Sequence, residues 1–243
     1  MKSWLEESIL NSHQSMDEDS LGYYLGRGIP SWMVVALKMG VFIPPDTQAP
    51  DKDFVNKQGY HGEEVSGWFS IPVWTPSGKI LGVEFRNPPV SEKKKVRKFF
   101  LPEANWTASF MGMCPEVMQK IADGADIWLA EGIFDLCIAH VIPSKDVALG
   151  CGGAKISAPQ KEFLKRFLRK GSVVKVVFDE DQTGREHSEG YVDPQTGRYI
   201  LGVLEKLERE RIPVVGIRYQ GGSDPGEIWD SGGRVALQKS FNL

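Results

Sequence analysis

From about residue 126 the chain alternates short apolar runs with amphipathic segments, and this pattern restricts its fold more than any other feature. The runs are "DIWLAE", "DVALG", "SVVKVVF" and "IPVVGIRY". Between them lie "GIFDLCIAHVI", "SAPQKEFLKRFLRKG" and "YILGVLEKLERERI", whose apolar residues recur with helical periodicity. Strand alternating with helix implies βαβ units and a mainly parallel sheet flanked by helices. Ser157 and Gln160 have the spacing of a capping box, with Pro159 in the first turn, and Gly171 is expected to end that helix. "HSEGYVDPQTGRY" interrupts the alternation, and its Pro194 and Gly197 predict a small hairpin. The α/β part is expected to begin near Gly124.

In a parallel sheet all strand C-termini lie on one edge, and ligands bind in the crevice there. Several acids fall at that edge. Glu131 ends the first strand, and Asp135 follows in the first turns of a helix. Asp179 and Asp181, within Asp179-Glu180-Asp181, follow the third strand. Asp224 follows the fourth in "GGSDPGE", with Glu227 nearby. One acid at a strand end is an ordinary helix cap or turn former. Acids at several strand ends would repel each other unless a cation joins them. Hard oxygen ligands suit Mg²⁺ or Mn²⁺ rather than zinc, and Mg²⁺ shares its shell with waters and phosphates. The chemistry suggested is phosphoryl or nucleotidyl transfer.

The first half reads differently. "SLGYYLGRGIPSWMVVALKMGVFIPP" predicts two short helices, with Ser31 as an N-cap and Gly40, Pro44 and Pro45 stopping the second. Residues 46–64 read as a polar loop. "GWFSIPVWTPSGKILGVEFRNP" predicts a β-hairpin turning at Pro76-Ser77-Gly78. From Lys79 to Phe100 the chain carries seven Lys/Arg against two acids, although its net charge is −3. Such a balance excludes a globally basic nucleic-acid binder but allows a local phosphate-holding patch. "SEKKKVRK" alone is more often a solvated loop. Cys114, Cys137 and Cys151 show no zinc spacing and fit a reducing compartment. The acidic N-terminus does not resemble a secretion signal, and no apolar run reaches membrane-spanning length. A cytoplasmic protein without a membrane partner is expected.

"LAEGIFDL" resembles the Glu-Gly-x-x-Asp motif of Toprim domains, and "VVFDEDQTG" resembles their Asp-x-Asp-x-x-Gly motif, in the same order. Within the Toprim-bearing families, the first half is similar to DnaG-type primases. "YYLGRGIPSWM" resembles the helix opening their RNA polymerase domain, "FSIPVWTPSGKILGVEFRNP" the hairpin that follows, "RKFFLP" a segment beyond it, and "SDPGE" the motif closing their metal site. The resemblance runs over nearly all of residues 20–230. It suggests a short relative, of phage or plasmid type, of the DnaG catalytic core.

The resemblance implies a smaller basic mixed α+β subdomain, residues 1–124, followed by a Toprim-like α/β domain, residues 125–243. It implies a DNA primase that makes short RNA primers on single-stranded DNA from ribonucleoside triphosphates. Glu131 would act as general base or metal-organising acid, joined in catalysis by Asp179 and Asp181. Glu131, Asp135, Asp179, Asp181 and Asp224 would hold Mg²⁺ or Mn²⁺. Arg86, Lys94, Lys95, Arg97, Lys98 and Lys155 would hold nucleotide or template.

Two departures bear on this. Gly226 replaces an acid in the closing motif, which bears on the number of ions, and three scattered cysteines cannot build the zinc-binding module of many primases. Template choice and helicase coupling are therefore expected from elsewhere, through a replicative helicase or a separate recognition factor. The rivals are a Toprim-type metal-dependent nuclease and a non-catalytic replication-accessory protein that binds nucleic acid. Cys137 with His140, and Trp68 with Trp74, read as packing residues, while Trp106 could stack on a base.

Overall fold

The computed structural model describes residues 4–43, 65–88, 96–100 and 108–243. The predicted loop at 46–64, Lys94, Lys95 and Trp106 lie outside the described residues.

The first half is built on an antiparallel sheet of order β1-β2-β3-β4 (Gly40–Val41, Phe69–Trp74, Ile80–Arg86, Val96–Phe100). The hairpin β2–β3 turns at the predicted Pro76-Ser77-Gly78, where Gly78 has φ +76°. Helices α1 (Trp4–Gln14), α2 (Glu18–Gly26) and α3 (Ser31–Leu37) accompany it. Ser31 does not cap α3. Pro30 holds the N-cap position without a side-chain bond, and Ser31 is the first helical residue. Gly40 does not stop that helix either, because Lys38 closes it in the left-handed conformation and Gly40 opens β1. The buried Tyr24 of α2 donates its hydroxyl to the carbonyls of Gly40 (2.7 Å) and Ser70 (3.0 Å), which ties α2 to β1 and β2. Trp74, half-buried, donates its indole N–H to Leu37 O at 2.8 Å, so it packs as expected.

Helix α4 (Pro115–Ala122) leads into the second half. Its sheet has the order β10-β7-β5-β6 (Val214–Gly216, Val174–Val177, Ile127–Ala130, Val147–Gly150), and every pairing is parallel. All four predicted runs became strands; β5, β6 and β7 bury their Val, Ile and Leu side chains, whereas β10, at the sheet edge, is partly exposed. The helices are α5 (Ala158–Phe167), α6 (Gln182–Glu189), α7 (Val203–Arg209) and α8 (Pro225–Phe241). The Ser157–Gln160 capping box is present on α5. That helix ends at Phe167 rather than Gly171, since Leu168 turns to an extended conformation. "FDLCIAH" forms a 3₁₀ helix (Phe134–His140) rather than an α-helix. The predicted excursion is a two-stranded hairpin, β8–β9 (Gly190–Val192, Tyr199–Leu201).

One continuous apolar cluster joins residues of both halves, from Tyr24, Met33 and Phe69 to Ile127, Leu129, Val176 and Leu237. A smaller one, with Ile9, Phe42, Val83 and Phe85, lies under α1 and the first sheet. Helix α8 also crosses between the halves. Trp229 donates to Gly26 O at 3.0 Å and stacks on His140, and Asp230 pairs with Arg27. Cys137 is buried with its thiol donating to Pro225 O, so Cys137 and His140 are packing residues as expected.

Candidate functional site

Strands β5, β7 and β10 end level with one another, since Ala130 pairs with Val177 and Gly216 with Val176. The acids that follow therefore meet at one sheet edge, and four of them accept from a backbone amide. Glu131 Oε1 accepts from Asp179 N (3.3 Å), and Asp135 Oδ2 accepts from Gly132 N (2.7 Å). Asp181 and Asp224 cap α6 and α8, accepting from Gly184 N (2.7 Å) and Glu227 N (2.6 Å). The ordinary role of an acid at a helix start is thus real here, and it also aims a carboxylate at the crevice. The second oxygens of these four acids have no hydrogen bond among the described residues.

The spacing of the Asp179 loop has a steric cause. Gly184, in the first turn of α6, packs so closely beneath Asp179 that a Cβ there would lie 2.1 Å from the Asp179 carbonyl oxygen. Only glycine lets α6 start where Asp181 can cap it while Asp179 still faces Glu131.

The electrostatics are those of crowded, like-charged groups. Burial first, then the charges of Asp135, Glu131, Asp224 and Asp181, pushes Asp179 up to about 8. Burial pushes Glu131 up to about 7, with Asp135, Asp181 and Asp224 adding to it. Asp135 is pushed to about 6, chiefly by burial. Asp179 Oδ1 is buried and has no hydrogen-bond partner. An orphaned buried carboxylate oxygen among self-repelling acids is what a divalent cation would satisfy, so these residues fit Mg²⁺ or Mn²⁺. Among the described residues no three side chains converge into a ready-made metal cage. Mg²⁺ does not need one, because waters and substrate phosphates fill most of its shell.

Positive charge approaches from the first half. Arg86, at the end of β3, lies over the Phe134 ring at 4.6 Å and donates to Glu84 at 2.7 Å. Arg27, at the end of α2, lies over the same ring at 4.7 Å. Both guanidiniums act on Asp135 to lower its pKa against burial. Reading the residues one by one missed Arg27 as a site residue; its signal was the Arg-Gly pair in "YYLGRGIP". Lys98 and Arg97 lie on β4 opposite Glu84 and Phe85, one strand from Arg86. Lys155, exposed in the loop after β6, makes no ion pair with the acids. Its charge acts instead on His187 and Lys206, whose pKa values fall through burial first and this lysine next. The structure therefore brings together Glu131, Asp135, Asp179, Asp181, Asp224 and Arg86, but not Lys155. A Cβ at Gly226 would sit 3.1 Å from Asp224 Oδ1, 3.7 Å from an Arg27 guanidinium nitrogen and 3.8 Å from Asp135 Oδ1, so the position borders the cluster and is closely packed against it.

No protein-family model matches the sequence, and no curated protein matches it. Solved structures do. The Aquifex aeolicus primase, zinc-binding and RNA polymerase domains, aligns over 98% of this chain with TM-score 0.68 and 18% identity; this chain spans 59% of it. The E. coli primase catalytic core aligns over 98% of this chain and 78% of its own, with TM-score 0.65 and 15% identity. A DnaG primase catalytic domain bound to single-stranded DNA aligns over 98% of this chain and 80% of its own, with TM-score 0.62 and 16% identity. The chain has the fold of DnaG-type primase catalytic cores.

Proposed function

We propose that this protein is a DNA primase, a nucleotidyltransferase that joins ribonucleoside triphosphates into short RNA primers on single-stranded DNA. The observation that carries the reading is the meeting of five acids from three chain segments, with an orphaned buried oxygen on Asp179 among them, within a primase-core fold. That a neighbour of this fold was solved with single-stranded DNA supports the template.

On this reading Asp135, Asp179, Asp181 and Asp224 hold Mg²⁺ or Mn²⁺, which when bound neutralises triphosphate charge and acidifies a 3′-hydroxyl. Glu131, raised to about 7, is poised to take the 3′-hydroxyl proton near neutral pH. Arg86 and Arg27 face charge developing on the transferred phosphoryl group. Arg97 and Lys98 of β4, with Lys94 and Lys95, hold the template backbone through sequence-independent contacts. Residues 1–124 then handle nucleic acid and residues 125–243 carry catalysis. Template choice falls to a helicase or recognition factor, and the work is done in the cytoplasm. Among the described residues no helix is long and apolar enough to cross a membrane.

The test is primer synthesis on mixed-sequence single-stranded DNA with four labelled ribonucleotides and Mg²⁺ or Mn²⁺. Short, metal-dependent RNA made by the wild type and lost in Asp179→Ala supports the proposal. DNA cut without added nucleotides would instead identify a nuclease. Intact DNA and no product would favour an accessory role.

A further inference from the structure

Three adjacent carboxylates invite the assumption that all serve one ion, but the middle one faces elsewhere. Glu180 lies at a bend between Asp179 and Asp181, and its side chain has partners of its own. Its side chain is only 10% exposed. Oε2 accepts from Arg185 Nε (3.1 Å) and Arg218 Nη1 (3.2 Å), and Oε1 accepts from the Tyr219 amide (3.4 Å). The Glu180 amide donates to Ser223 O at 2.7 Å, one residue before Asp224. Tyr219 closes the arrangement, its hydroxyl donating to Phe178 O (3.3 Å) and Ser223 O (3.1 Å). Arg218 also pairs with Glu189 at the end of α6.

We propose that Glu180 is a positioning residue that staples the Asp179–Asp181 loop to the Ser223–Asp224 loop and so sets the spacing of acids it never joins. The inference rests on the metal-site reading above. Asp179 and Asp181 follow β7, whereas Asp224 follows its edge neighbour β10. The two loops touch through Glu180, Tyr219 and Ser223. The charge of Glu180 is answered by two guanidiniums, so it adds little repulsion to the cluster. Both arginines are largely exposed, at 58% and 45%, so as plain surface ion pairs they would matter little. Their value lies in holding a nearly buried carboxylate against a backbone amide.

The test compares the wild type with Glu180→Ala and Glu180→Gln by amide hydrogen exchange and by Mn²⁺ titration calorimetry. Glu180→Ala should speed exchange at the capped amides of Gly184 and Glu227 about tenfold and weaken Mn²⁺ binding about tenfold. Exchange at the β5 amides should stay unchanged, which separates loosening of the loops from unfolding. Glu180→Gln, which keeps an acceptor for the Tyr219 amide, should recover part of both effects. Unchanged exchange in the alanine protein would overturn the proposal, as would faster exchange with unchanged Mn²⁺ affinity. Absence of Mn²⁺ binding in the wild type would overturn the metal reading and this role with it. That result is distinguishable because no variant would then be needed to see it.

Discussion

Asp179 shows how one side chain can oppose the fold that holds it. Carboxylates ordinarily titrate near 4, but in the folded chain Asp135, Glu131 and Asp179 are pushed to about 6, 7 and 8. Between those limits the folded chain keeps protons that the unfolded chain has released. Their contribution to stability is therefore full below about pH 4 and is lost as pH rises through about 8. The metal-free protein should show a melting temperature that falls across this window. Mn²⁺ at about 100 times its Kd should add roughly 2.7 kcal/mol. Asp179→Asn should raise the metal-free melting temperature at pH 8 and abolish the rise on adding Mn²⁺; thermal melts with and without the ion check both. Gly226→Asp should act oppositely, lowering the metal-free melting temperature at pH 8, because its Cβ would crowd Asp224 Oδ1 at 3.1 Å and its carboxylate would add charge beside Asp135 and Asp224. The acids were legible in sequence because Glu131, Asp179 and Asp181 lie just past recognisable strands, and Asp135 and Asp224 stand at the starts of the helices that follow. Arg27 and Glu180 were harder to read. Arg27 reaches the site only through the docking of α2, and the direction of Glu180 is set by Arg218 and Tyr219, far along the chain.

At the scale of elements, the four parallel strands were readable as short apolar runs, of which β5, β6 and β7 are buried and β10 is a partly exposed edge. Helix α6 was not, since "QTGREHSE" is polar throughout and draws its start from the Asp181 cap. The 3₁₀ form of residues 134–140 was equally hidden, because helical periodicity does not separate the two helix types over one or two turns. Helix α8 has a consequence that can be tested. Gly28, with φ +78°, lies under its Trp229, and a Cβ there would sit 2.5 Å from Cys137 Cβ and 2.7 Å from the Trp229 ring. Gly28→Ala should therefore cost on the order of 2–3 kcal/mol in urea unfolding. Ser157→Ala, which removes one half of the α5 capping box, should cost only about 1 kcal/mol.

At the scale of the molecule, the acids belong to the second half, and Arg27, Arg86 and the basic β4 belong to the first. The apolar cluster and α8 fix the two against each other. Binding of single strands should be modest and strongly salt-dependent, because the net charge is only −3 and the basic residues are local. Charge reversal at Lys94, Lys95 and Arg97 should weaken that binding and reduce the salt slope by about 2–3, as measured by fluorescence anisotropy. A divalent ion shared by acids of three chain segments beside Asp179 is the core of the proposed site. Its most direct test is Mn²⁺ titration calorimetry at pH 7, in two buffers of different ionisation enthalpy. Saturable binding with proton release is expected in the wild type, and its loss in Asp179→Asn. Equal affinity in the two proteins, or no binding in the wild type, would contradict it.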